Sequence, residues 1–112
     1  MARICRGDVF EWPNVSDDHP MGSKRRKWVV VSRESFNEDS PHILACPLTS
    51  YPPQPIDISV PKTPHNRLDH DSSLMVCRIT PIRKTTMGPV IAHVDHSELQ
   101  PLIDRLDMIV GD

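Results

Sequence analysis

Through the first 94 residues apolar and polar positions come in short blocks, and after them the period lengthens. Val9-Phe10-Glu11-Trp12, following Gly7-Asp8, predicts a short first strand that Pro13 stops, because proline gives a ladder no N–H. Trp28 to Ser32 carries three consecutive β-branched valines, which predicts a central strand buried on both faces, with Arg26 at its entrance. Residues 42–48 predict a third strand, with Pro47 marking an edge or a bulge near its end. Ile56-Asp57-Ile58-Ser59-Val60 alternates strictly, as a half-exposed strand does; residues 74–82 predict one long apolar strand and residues 90–94 a short one. Between them, residues 14–23, 35–41 and 62–71 are rich in turn formers and polar side chains and read as loops, the last of them mobile.

The final segment changes period. Leu99, Leu102, Ile103, Leu106, Ile109 and Val110 recur at spacings of three and four, which lays one apolar stripe along a helix that Gly111 ends. Asp95-x-x-Glu98 has capping-box spacing, but a start that early puts Pro101 inside the helix at the cost of a hydrogen bond, so Ser97 is the expected N-cap. Short strands followed by one helix predict a mainly β fold with a C-terminal helix, a small antiparallel barrel that the helix closes. At 112 residues, positions 1–112 are expected to form one domain.

Charge narrows the partners. Thirteen basic against fifteen acidic side chains, a net −2, argue against coating nucleic acid through bulk electrostatics, so any anion site must be local. Lys24-Arg25-Arg26-Lys27 is the obvious place, although a solvated turn would have the same composition. Aromatic content is 4%, so ring stacking is not expected to dominate RNA binding. Cys5, Cys46 and Cys77 are odd in number and widely spaced, and His42, His65, His70, His93 and His96 lack metal-ligand spacing. No disulfide framework, metal or cofactor is expected, and with no apolar run near twenty residues the expectation is a cytoplasmic protein that does not use a membrane.

An arginine and a hydroxyl on neighbouring strands can grip a phosphate. Arg25 and Arg26 both carry a planar fork able to donate two parallel hydrogen bonds to phosphate oxygens, whereas Lys24 and Lys27 are point charges better suited to steering. Thr49 and Ser50 supply adjacent hydroxyls at a strand end. Chemistry alone does not choose between the two arginines.

The order of segments resembles the MazF/PemK family of toxin endoribonucleases. The likeness is carried by Arg6-Gly7-Asp8-Val9, Arg26-x-x-Val29-Val30-Val31-Ser32, Phe36-Asn37, Pro47-Leu48-Thr49-Ser50, Asp71-Ser72 and the terminal helix, and it spans nearly the whole chain. It implies an SH3-like barrel, a homodimer, an antitoxin partner, and metal-independent cleavage of single-stranded RNA that leaves a 2′,3′-cyclic phosphate. It also selects Arg26 and Thr49, 23 positions apart (49 − 26), as the family's catalytic arginine and threonine. By the same likeness Asp8 is an acceptor near the RNA and His19, an imidazole of the type that titrates near neutrality, is the candidate for proton transfer; Lys24, Arg25, Lys27, Ser50 and Arg78 are expected to bind RNA by their own chemistry, as cations and a hydroxyl close to the pair in sequence.

Three positions depart from the family pattern: Lys27 stands where a proline usually follows the arginine, Met75-Val76-Cys77 replaces an Arg-x-Asp pair, and the next segment reads Ile79-Thr80-Pro81-Ile82. Two other readings share the fold. One is a barrel that binds RNA or protein without cutting it. The other is a CcdB-like gyrase poison, which the ending Met108-Ile109-Val110-Gly111-Asp112, lacking a Trp-Gly-Ile tail, disfavours.

Overall fold

The computed structural model describes residues 3–13, 25–50 and 54–111. Its elements in chain order are β1 (Asp8–Pro13), β2 (Arg25–Val30), α1 (Glu34–Asp39), β3 (His42–Thr49), β4 (Ile58–Val60), β5 (Ser72–Leu74), β6 (Thr80–Arg83), β7 (Val90–His93) and α2 (His96–Val110). Strand β3 is the axis. On one side it pairs with β2, which leads outward to β1 and then β7; on the other it takes β6 along its first half and β5, then β4, at its end. The result is the mainly antiparallel, curled sheet with a terminal helix that the strand pattern predicted.

Pro47 sits inside this central strand rather than at an edge. Pairing with β6 ends at Ala45 and pairing with β5 begins at Leu48, so the missing N–H of Pro47 falls in the gap between partners. Its carbonyl is still used, accepting from the Met75 N–H at 3.0 Å.

Alternation divides the sheet into two apolar faces. Val29, Cys46, Leu48, Ile58, Val60 and Leu74 meet Leu99 and Leu102 of α2 in the larger cluster. Phe10, Trp28, Val30, Ile43, Ala45 and Ile82 form the smaller one behind it. Each fully buried leucine or phenylalanine contributes roughly 1.5–3 kcal/mol, so the side of the sheet that α2 covers carries most of the stabilising burial.

Several boundaries differ from expectation, each for a physical reason. Strand β2 starts at Arg25 and ends at Val30; beyond it the N–H groups of Val31 and Ser32 both bond the Leu44 carbonyl, at 2.8 and 3.3 Å, which breaks the ladder. Arg26 therefore lies within the strand, not at its entrance. The stretch 35–41, expected as loop, instead holds most of α1 (Glu34–Asp39), a helix without an apolar stripe whose buried side chain is Asn37. Ser32 Oγ donates to Asn37 Oδ1, and Asn37 Nδ2 donates to the carbonyls of Ile4 and Ser32, so hydrogen bonds hold α1 where hydrophobic contacts would normally do so.

The long strand expected over 74–82 is broken by a single 3-10 turn, Val76–Arg78, in which Val76 is buried and the next two residues are exposed. The strand beginning at Ile56 shortens to Ile58. In the polar stretch 62–71, Asn66 is fully buried: its Oδ1 accepts from the N–H groups of Thr63 and Leu68, and its Nδ2 donates to the Pro61 carbonyl and to Glu98 Oε2. Helix α2 is capped at Asp95 rather than Ser97, with Glu98 Oε1 accepting from the Asp95 N–H at 3.2 Å. Burial of Leu99 and Leu102 outweighs the one hydrogen bond that Pro101 forfeits.

Candidate functional site

Strand register builds a polar row across the smaller face. Trp28 pairs with Pro47, Val29 with Cys46 and Val30 with Ala45; carried two residues further, the same register sets Arg26 opposite Thr49. Strand β1 places Trp12 opposite Arg26, β5 places Ser73 opposite Thr49, and β4 places Ser59 opposite Ser73. Trp12, Arg26, Thr49, Ser73 and Ser59 thus lie in one line transverse to the strands.

Their facing follows from their neighbours. Leu48, Leu74, Ile58 and Val60 point into the larger cluster, so Thr49, Ser73 and Ser59, one residue away on the same strands, point to the opposite face. Trp28 and Val30 belong to the smaller cluster, and Arg26, two residues before Trp28, shares their face. Arg26 and Thr49 are each 8% exposed and Ser73 is 3% exposed, while Ser59 and Ser50 are exposed. Arg26 Nη1 also donates to the Leu48 carbonyl, at a long 3.4 Å. A guanidinium fork beside a line of hydroxyls is the donor set that a tetrahedral anion requires.

Residues 5–110 match the family model for the PemK-like, MazF-like toxin of type II toxin-antitoxin systems. The chain belongs to that toxin family. No curated protein sequence gives a significant match. Among solved structures, MazF from Deinococcus radiodurans superposes with a TM-score of 0.78 at 16% identity, over 100% of both chains. An endoribonuclease in complex with its cognate antitoxin, from a mycobacterial species, gives 0.73 at 20% identity, over 99% of this chain and 96% of that one. A MazE-MazF structure from Deinococcus radiodurans gives 0.74 at 17% identity, over 99% and 98%. At these identities the likeness is one of fold.

The toxin fold does not bring every expected residue to the row. Asp8 lies four residues before Trp12 on β1, roughly 13 Å along the strand. There its Oδ1 is 3.1 Å from His93 Nδ1, and its Oδ2 accepts from the Cys5 N–H at 2.9 Å. Next to it, Gly7 has a φ of +98°, and an added Cβ would stand 2.2 Å from the Val94 carbonyl oxygen, so this corner of β1 and β7 accepts only glycine. Lys27 alternates onto the face opposite Arg26 and pairs with Asp69, and this hydrogen bond and charge hold the Asp69 carboxyl below its ordinary range. Arg78 is exposed on the 3-10 turn and is not in the row. His19 and Lys24 lie outside the described residues, and of Arg25 only the backbone is described.

Sequence reading does not single out three members of the row, Trp12, Ser73 and Ser59. In the sequence Trp12 reads as one more apolar position of the first strand. Ser73 follows the Asp71-Ser72 pair of the family pattern, and a strand that begins at Leu74 gives it no face. No group of three His, Cys, Asp or Glu side chains arranged to hold a metal ion occurs among the described residues. Burial raises the Cys46 thiol far above its ordinary range, so it stays protonated and inert. An apolar groove of about 610 Å³, lined by Val31, Phe36, Leu44, Val76, Ile79 and Val110 among others, opens at the opposite end of β2 and β3 from Arg26.

Proposed function

We propose that this toxin is an endoribonuclease that cuts single-stranded RNA without a metal ion, and that Arg26 and Thr49 form the centre of its site. What supports the reading is the register of β2 and β3, which carried two residues beyond Trp28 and Pro47 sets Arg26 opposite Thr49, together with the contact of Arg26 Nη1 to the carbonyl of Leu48, the neighbour of Thr49.

Cleavage begins with attack of a ribose 2′-oxygen on the adjacent phosphorus and ends with departure of the 5′-oxygen, leaving a 2′,3′-cyclic phosphate. Negative charge accumulates on the non-bridging oxygens of the five-coordinate phosphorus. The fixed charge of Arg26 stabilises it, and because the residue is only 8% exposed, little water screens that charge. Thr49 donates its hydroxyl to the same phosphate and orients it, with Ser73 next in line and Ser50 following on the chain. His19 serves proton transfer, since an unperturbed imidazole titrates near pH 6.5 and can act as base or acid close to neutrality. Lys24, Arg25 and Arg78 supply positive charge along the RNA path, whereas Lys27 is held by Asp69 on the other face and Asp8 by His93 and the Cys5 N–H at the far end of β1.

An antitoxin protein is the proposed partner, as the type II family and the antitoxin complexes among its structural relatives support. A homodimer is the proposed assembly. The test is incubation of the purified protein with single-stranded RNA and a chelator, comparing wild type with Arg26→Ala. Wild type is expected to cut, with a cyclic phosphate end detectable on the product and with 2′-O-methylation at the cut site blocking the reaction. Equal cleavage by both proteins would overturn the assignment.

A further inference from the structure

We propose that Trp12 is a stacking platform for one RNA base, the base flanking the phosphate held by Arg26, and so helps to set where the RNA is cut. This rests on the endoribonuclease reading of the Arg26 and Thr49 site and adds a specificity contact to it.

Trp12 pairs directly with Arg26 across β1 and β2. Side chains opposite one another in an antiparallel ladder share a face, with Cβ atoms roughly 5 Å apart. The ring is held from two directions. It meets Trp28 edge to face, with centroids 5.5 Å apart and planes at 89°, and its Nε1–H donates to Thr86 Oγ1 at 3.1 Å. Both contacts fix the indole before any ligand arrives, so little rotamer freedom is left to lose on binding.

The remaining rings narrow the choice. The chain has five: two tryptophans, one tyrosine and two phenylalanines. Phe10 is 0% and Trp28 5% exposed, and both are committed to the smaller cluster. Phe36, at 44% exposed, belongs to α1 and lines the apolar groove at the far end of β2 and β3. Tyr51 lies outside the described residues. Among the described rings, Trp12 is the one that is both part-exposed and in line with Arg26. A base held there is selected by its π-face and not by its hydrogen-bonding edge, so the contact favours purines, which offer the larger face.

The experiment first maps wild-type cut sites on a long single-stranded RNA and then prepares short RNAs carrying the preferred site, with an abasic residue at each nucleotide beside the cut in turn. One abasic position is expected to lower wild-type kcat/KM about ten- to hundredfold, as loss of one base–aromatic stack does. Trp12→Leu should lower kcat/KM on intact RNA by a similar factor and be indifferent to that abasic position, while Trp12→Phe keeps most of the wild-type rate. An abasic penalty that persists undiminished in Trp12→Leu overturns the proposal. So does the absence of any abasic penalty in wild type, a result that does not require the variant to fold. If wild type cuts no RNA at all, the Arg26 and Thr49 reading fails and this inference falls with it; cleavage that ignores the base beside the cut refutes the stacking alone.

Discussion

The two faces of one sheet follow opposite rules. On the face that α2 covers, Val29, Cys46, Leu48, Leu74, Leu99 and Leu102 form a continuous apolar cluster in which position matters less than volume. On the other face the smaller cluster around Phe10, Trp28 and Ile82 gives way to Arg26, Thr49 and Ser73, polar side chains that are nonetheless buried. Burying a guanidinium and two hydroxyls is unfavourable by itself, and such departures from the apolar pattern concentrate at working sites. The covered face stabilises the fold, which lets the other keep buried polar groups where the proposed chemistry would use them.

Substitutions should separate the two faces. Arg26→Ala is expected to have the largest effect, slowing RNA cleavage about a thousandfold, or ~4 kcal/mol of transition-state stabilisation, in a protein that still unfolds cooperatively. A time course on a defined RNA, read beside a thermal melt, checks this; an intact rate would dissolve the contrast between the faces. Leu102→Ala should do the reverse, lowering stability by ~3 kcal/mol in a denaturant titration while the rate per folded molecule is unchanged. Thr49→Val keeps the shape of the side chain and removes its hydroxyl, so the rate should fall about tenfold to a hundredfold, in keeping with ~1.5–3 kcal/mol for a hydrogen bond to a charged group.

Smaller effects sharpen the boundary between the faces. Glu98→Ala removes the acceptor for the Asp95 N–H and one partner of the buried Asn66 amide, and should cost about 1–2 kcal/mol in the same titration. Lys27→Met should leave cleavage within about twofold of wild type, because the ammonium lies on the face opposite Arg26; binding by bulk charge would instead make Lys27 and Arg26 equally sensitive. Its signature is in the titration of Asp69. With the carboxyl pKa depressed by Lys27, the pair's contribution is present above the ordinary value of 3.8 and is lost as pH falls through the lower folded value. In Lys27→Met the Asp69 carboxyl should titrate at higher pH than in wild type, as carboxyl NMR shifts would record.

Much of the architecture was legible from residue order. The valine run of β2, the alternation at Ile58-Ser59-Val60 and the stripe through Leu99 and Leu102 announce their elements, because burial on one face imposes a period on the chain. Helix α1 was not legible, since its anchor is the buried amide of Asn37 and not an apolar stripe. The turn at Val76–Arg78 was hidden by apolar residues that suit a strand equally well. Likewise, Asp8 and Arg26 both stood beside predicted strands, and nothing local revealed that one would be tied to His93 at the far end of β1.

The sequence by itself indicated most of the strands and the terminal helix, and through its likeness to a toxin family it proposed Arg26 and Thr49 as a pair. Tertiary structure alone decided that Trp12 and Ser73 join them in a single row, and that Lys27, adjacent to Arg26 in the chain, works on the other side of the sheet. A period of two tells a side chain which face to take but says nothing about which strand will lie alongside. That choice is made by register between segments distant in sequence, and register is fixed only when the whole sheet closes over its core.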